Sequence, residues 1–502
     1  MIYFSENFVY EGTFQERSTL MIRDFMKGLM SCAKSHRVKR VYFHNLSRFD
    51  GILLLKHFLM DENLIVKPII REHNIYQITI VDRKKPKIPV LYLRDSLKLL
   101  PGSLKSLATT MCPELGGKGS IPHEELNEFN ISEKKEELIK YLSQDILILA
   151  GVLRKAQEKY WNRLKIDITN CLTVSSMAMK IYRTHYYPTT YPIYRPEPNR
   201  ARFIRQGYYG GHTDVYKPYG KDLFYYDVNS LYPYAMTKPM PGGKPVWHGN
   251  LECSDLENLF GFVTAKVTCP DHLKVPLLPY KDPKLGTLLF PTGTFTGVYF
   301  TEELKLAKKV GYKVQLRHGY LFEKKSSPFS LFVKEIVEER KEAKKRGDEP
   351  LSYLNKLIIH SLYGRFGIKP ESNITEICEK ERFDMLMSNF EYTMAEPIGN
   401  SLYIVSYTGR LQRLQDVPDD DGTLSIQHFS KSRDAGSSSA VQMSAAITAY
   451  ARIHMYPYIS REGCYYTDTD SAVLDTPIPE EEVSSSELGK LKLEHEVIVT
   501  IC

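Results

Sequence analysis

The sequence predicts a multidomain chain of mixed α/β and α+β class, and three observations predict it. Its 502 residues exceed what one ordinary hydrophobic core supports, so two to four domains are expected. A strand, a helix and further strands close on a long helix before residue 165, which is an α/β pattern. A Pro-rich stretch then leads into a second region of short strands, Pro and Gly turns and two helices.

Taken in order, "VKRVYFHNLSRFDGILLLKHFLM" (38–60) reads as a strand, a polar turn and a buried helix. Two apolar strands follow in "IYQITIVD" and "IPVLYLRDSL". "SEKKEELIKYLSQDILILAGVLRKAQEKYW" (132–161) reads as a long helix with Ser132 as N-cap and an acidic first turn. Residues 166–200, ending in "YYPTTYPIYRPEPNR", read as a linker. Beyond it "DLFYYDVNSLYPYAM" is an apolar strand running into a turn at Asp227, and 260–325 mixes short strands with turns. "FSLFVKEIVEERKEAKKR" and "PLSYLNKLIIHSLYGRFG", parted by "GDE", read as a helical hairpin. Residues 408–439, with "DVPDDDG" and "KSRDAGSSS", read as a polar insertion.

The totals exclude little but exclude it clearly. Hydrophobic content of 42% is too high for a disordered chain. A net charge of +7 permits a polyanionic partner without demanding one. Cysteines at 32, 112, 171, 253, 269, 378, 464 and 502 form no CxxC pair or Cys/His zinc spacing, so reduced thiols are expected. No apolar run approaches the ~20 residues that span a bilayer, so no membrane insertion is expected. The first residues carry neither a signal peptide nor an Arg-rich transit segment.

Chemistry gathers at a few acidic and basic positions. In "YYTDTDSAVL" (465–474), Asp468 and Asp470 interrupt an apolar run, and a buried carboxylate needs a partner. Basic side chains, solvent at a hairpin tip, or a divalent cation would each serve. On the second helix of the hairpin Lys356, His360 and Tyr363 share a face, while Leu351, Leu354 and Ile358 share another that buries. Arg340 and Lys344 lie one turn apart on the first helix. Strand-borne carboxylates opposite a basic hairpin suit a metal-bound triphosphate, since carboxylates hold hard cations such as Mg²⁺.

"DVNSLYP" (227–233), "KLIIHSLYG" (356–364) and "YTDTDS" (466–471) resemble, in order, the three polymerase motifs of the family B DNA polymerases: Dx2SLYP, Kx3NSxYG and YxDTDS. "YYGG" (208–211) and "TAYAR" (448–452) resemble the YxGG and Tx2AR segments of its protein-primed branch, which includes small-phage and linear mitochondrial plasmid polymerases. The resemblance covers about residues 40–495. It implies two Mg²⁺ ions (Mn²⁺ in their place) held by Asp227, Asp470 and the Val228 carbonyl, with Asp468 close by as a third catalytic carboxylate. It gives Lys356, Lys344 and Arg340 to the incoming dNTP, and Tyr232 to the face under its deoxyribose, with Tyr363 beside it. Tyr208, Gly210, Gly211, Thr448 and Arg452 would contact DNA. "HNLSRFDG" and "YLSQD" resemble the second and third motifs of a DEDD 3′–5′ exonuclease through Asn45, Asp50, Tyr141 and Asp145. "SLKLL" (96–100) and "KGSI" (118–121) resemble its single-strand-binding segments through Ser96, Leu97 and Lys118.

The fold so implied is a ribonuclease-H-like exonuclease domain (1–165), the linker (166–200), the first palm part (201–259), a first insertion where a terminal protein docks (260–328), fingers (329–371), a second insertion (372–440) and the second palm part (441–502). The family's DxE is not found in residues 1–44, and its KxY segment and thumb do not follow residue 502, so a chain truncated at both ends, without proofreading, is expected. His360 stands where the family has Asn. The function implied is DNA-directed DNA synthesis by a monomer on a primer-template, copying a linear plasmid-like DNA in a mitochondrion. The alternative is an inactive DNA-binding remnant.

Overall fold

A computed structural model describes residues 3, 12–119, 121, 126, 133–282, 286–369, 373–398, 401–411 and 439–497. The chain divides into two compact units: 1–177 with 349–354 and 370–435, and 178–348 with 355–369 and 436–502.

The first unit is built on a seven-stranded sheet, in the order Arg40–Phe43, Pro89–Asp95, Asn74–Asp82, Leu64–Arg71, Ile374–Glu379, Leu402–Leu411, Phe390–Ile398. Only the first pair is parallel. Alternation places Ile78, Ile80, Leu91 and Leu93 in the core, where Leu54 and Phe58 of helix Asp50–Leu59 and Met26 of helix Phe14–Ser35 meet them. Thr13 and Glu16 close a capping box on that last helix. The long helix runs Lys135–Leu164, and its expected cap, Ser132, lies outside the described residues. Three strands within residues 374–411 therefore continue the sheet of the N-terminal region. Most of the polar stretch within 408–439 lies outside the described residues.

In the second unit a five-stranded antiparallel sheet runs Leu491–Val497, Leu223–Val228, Ser471–Leu474, Cys464–Asp468, Thr213–Val215. Helix Val441–Ile459 is buried along most of its length. A four-stranded sheet runs Gly293–Phe300, Gly261–Cys269, Lys313–Lys325, Met240–His248, so strand Met240–His248 shares one sheet with strands on the far side of the boundary expected at 260. Pairing with Lys313–Lys325 decides this, and local pattern does not reveal it.

The hairpin forms as expected from Ser330–Lys345 and Glu349–Phe366, turning at Gly347, whose φ of +70° suits glycine. Asn355 donates to Glu339 at 3.0 Å and ties the two helices. Leu354 and Ile358 are fully buried, as the spacing predicts, while Leu351, expected on the same buried face, is only half-buried.

The expected linker is a packed segment. Tyr182, Tyr186 and Tyr191 are buried; Tyr182 packs on Phe329, Phe332 and Phe366, and Tyr191 donates to the Pro241 carbonyl at 2.8 Å. Its prolines read as a spacer, but its tyrosines anchor it. Among the described residues no helix is long and apolar enough to cross a membrane.

Candidate active site

Asp227 is the penultimate residue of strand Leu223–Val228, which lies beside the central strand Ser471–Leu474, and its Cα neighbour across that pair is Ser471. The Val228 amide donates to the Asp470 carbonyl at 2.7 Å, which fixes the two carboxylate-bearing backbones side by side. Asp470 follows a tight turn in which Thr469, a β-branched residue, adopts a φ of +58°. Burial pushes the Asp227 carboxyl up to about 6, and Asp470 and Glu494 add to the rise while Lys492 and Lys356 oppose it. Burial and the neighbouring Asp468 also raise Asp470. Asp468 itself is exposed and accepts from Thr213 Oγ1 at 2.9 Å.

Two half-buried carboxylates that repel each other fit a divalent cation, which would hold both ionised. Among the described residues no group of three or more His, Cys, Asp and Glu side chains is set for a metal. A cation here would keep water and substrate oxygens as ligands, in the manner of Mg²⁺.

The tyrosines of the two motifs meet: Tyr232 and Tyr363 stack with centroids 4.3 Å apart and planes at 16°. His360 approaches Ser230 Oγ at 3.4 Å, and burial first, then Arg340 and Lys356, lowers it to about 4, leaving a neutral imidazole. The Arg340 Nε is buried without a hydrogen-bond partner, and burial lowers the pKa of its guanidinium. A desolvated cation with a free donor fits an anion such as phosphate. Lys356 and Lys344 are exposed on the same hairpin.

Two expected DNA contacts are placed otherwise. Arg452 is buried, with Nε and Nη2 donating to the Glu303 carboxylate at 2.7 and 2.9 Å and Nη1 donating to the carbonyls of Tyr209 and Gly210 at 2.9 and 2.7 Å. Thr448 is buried and donates to the Ala445 carbonyl. Both face inward because their helix is covered nearly all round. Tyr208 is half-buried and Gly210 exposed. Gly211 lies against the carboxylate turn, where a Cβ would fall 2.5 Å from Thr469 Oγ1.

In the first unit Asn45 turns with a φ of +69° and its amide donates to Asp95 at 3.0 Å; the amides of Ser47 and Leu97 donate to the same carboxylate. Asp50 opens its helix, and burial, then Asp95, raises its carboxyl. Asp145 pairs with Lys118 at 3.6 Å, and Lys118 lies over the Tyr141 ring. Ser96 is buried beside His44, 3.1 Å from Nδ1. Sequence reasoning missed Asp95, whose signal was its place directly before "SLKLL", and Glu303, which carried none.

The family described as DNA polymerase type B, organellar and viral, matches residues 31–136 and 132–463. A probable DNA polymerase of Neurospora intermedia is 31% identical over 97% of this chain and 53% of its own length. One of Agaricus bitorquis is 30% identical over 95% of this chain and 64% of its own. This chain thus spans between half and two thirds of those relatives. The structure of phi29 DNA polymerase with primer-template DNA and incoming nucleotide superposes with a TM-score of 0.68 at 21% identity, over 92% of this chain and 77% of that one. The fold is the one they share.

Proposed function

From the premise that this chain belongs to the organellar and viral type B DNA polymerases, we propose that it is a DNA-directed DNA polymerase. It joins deoxynucleotides from dNTPs to a primer 3′-hydroxyl, or to the hydroxyl of a terminal protein, along a DNA template. What carries this reading is the pair Asp227 and Asp470, both desolvated, Asp227 near the end of its strand and Asp470 in the turn just before the neighbouring strand, where its carbonyl accepts the Val228 amide. These two carboxylates, with the Val228 carbonyl, would hold two Mg²⁺ ions. When bound, such ions activate the attacking hydroxyl and stabilise the leaving pyrophosphate.

The remaining work is positioning. The Tyr232–Tyr363 stack would lie under the deoxyribose, where the bulk of the Tyr232 ring would exclude a 2′-hydroxyl. Arg340 and Lys356 neutralise the triphosphate, with Lys344 further along the hairpin. Asn45, Asp50, Tyr141 and Asp145 belong to a ribonuclease-H-like unit that handles single-stranded DNA. Replication of a linear plasmid-like DNA in a mitochondrion follows from the same resemblance, and co-fractionation of the expressed protein with the organelle tests it.

A competing reading, a DNA-binding protein without turnover, draws on His360 in place of the family's Asn. Primer extension with Mg²⁺ and dNTPs, run beside Asp470→Ala, decides between them. Incorporation by the wild type alone supports the polymerase, and equal background in both refutes it.

A further inference from the structure

The Glu303–Arg452 pair lies inside the second unit, its side chains 1% and 2% exposed. Two ions so placed are desolvated, and removing one leaves the other uncompensated. Arg452 spends its remaining hydrogen bonds on the carbonyls of Tyr209 and Gly210. The guanidinium also lies 5.8 Å from the Tyr209 ring, which stacks on Tyr299, four residues before Glu303.

The two residues after that grip reach the carboxylate turn. Gly211 fits against Thr469 without room for a methyl, and the His212 carbonyl accepts the Thr469 amide at 2.9 Å. The His212 ring stacks on Phe290 at 3.5 Å, which stiffens the segment. Thr213 then donates to Asp468 and pairs with it across the sheet. A continuous line of contacts thus runs from Glu303 through Arg452 and residues 209–213 to the backbone that aims Asp468 and Asp470. Thr469 sits in the left-handed region, so its turn depends on its surroundings to stay in place.

We propose that Glu303 is a positioning residue: by holding Arg452 it fixes the 209–213 segment, and through it the aspartate turn that takes divalent cations. The proposal rests on the polymerase reading for the identity of the ligand, and on the contacts above for the rest. Glu302, one residue earlier, pairs instead with Lys305 at 2.6 Å and Lys324 at 3.0 Å, so it is the matched control.

The test uses the full chain as Glu303→Gln, Glu303→Asp, Glu302→Gln and Asp470→Asn. Tb³⁺ luminescence, without DNA or nucleotide, reads cation affinity; primer extension across a Mg²⁺ titration reads half-saturation. Glu303→Gln is expected to weaken both by roughly tenfold or more, the scale of outer-shell substitutions at metal sites. Glu303→Asp, which keeps the charge, recovers part of the loss, and Glu302→Gln stays within about twofold of wild type. Folded Glu303→Gln with wild-type Tb³⁺ affinity overturns the proposal. If that variant does not fold, Glu303→Asp decides: an unchanged affinity overturns it and a weakened one supports it. Tb³⁺ binding that does not depend on Asp470 overturns it too. A wild type that binds Tb³⁺ through Asp470 yet extends no primer refutes the polymerase reading alone, and the Tb³⁺ comparison still judges Glu303.

Discussion

Replacing His360 by Asn removes a group whose titration the fold resists. Burial, with Arg340 and Lys356 nearby, brings the folded imidazole from 6.5 to about 4. The folded state therefore stays neutral where the unfolded chain takes up a proton. This contribution to stability is whole above the unfolded value and is lost as pH falls towards the folded one. The full span corresponds to about 3 kcal/mol, and the linkage relation gives about 2 kcal/mol lost on going from about pH 7 to about pH 5. Urea unfolding of wild type and His360→Asn, followed by fluorescence across that range, measures the difference. The wild type should lose about 2 kcal/mol more than the variant over the acidic step. Parallel stability curves would refute the reasoning, because they would mean that His360 titrates normally in the fold.

Gly211→Ala drives a methyl group towards Thr469 Oγ1, and the overpacking should cost about 1–3 kcal/mol in unfolding measurements and depress primer extension; unchanged activity would count against the placement of this segment. Tyr232→Val opens the space beside Tyr363, and incorporation of ribonucleotides relative to deoxynucleotides should rise about tenfold or more in single-nucleotide assays, with an unaltered ratio contradicting the exclusion role. Asp95→Ala strips three backbone amides of their acceptor, so the first unit should lose about 1–3 kcal/mol, read as faster hydrogen exchange at Asn45, Ser47 and Leu97. Unchanged exchange at those amides would show that another acceptor replaces the carboxylate.

The short motifs were readable because each sits on one element and repeats a local geometry. Asp227 near the end of an apolar strand could be recognised as a strand-borne carboxylate before its pairing was known, whereas Asp470 sits not inside a strand but in the turn between Cys464–Asp468 and Ser471–Leu474. The hairpin helices declared their buried face through Leu354 and Ile358. Residues whose meaning comes from distant partners were opaque. Glu303 reads as an ordinary first-turn acid in "TEELKLAKK", and only the folded chain brings Arg452 to it across 149 residues. Arg452 reads as a DNA contact from the resemblance of "TAYAR" to the Tx2AR segment, and the sequence holds no record of its pairing with Glu303. The tyrosines of the linker region and the strand Met240–His248 were misplaced for a related reason: prolines and glycines mark breaks in the chain but say nothing of what packs over them.

The strand Ile374–Glu379 completes the sheet of the first unit by pairing Ile374 with Arg71 and Thr375 with Ile70, partners separated by roughly 300 positions. A ribosome adding about 5–20 residues per second needs roughly 15–60 s to travel between them. Throughout that time the Ile70–Arg71 end of Leu64–Arg71 waits without its later partner, a template for a neighbouring nascent chain. Chaperone capture during synthesis should accordingly concentrate on this end. Any attempt to dissect the N-terminal unit must carry residues 374–411 with it, since a fragment ending at 177 would lack three of the seven strands of its sheet and leave Ile70 and Arg71 without their partners.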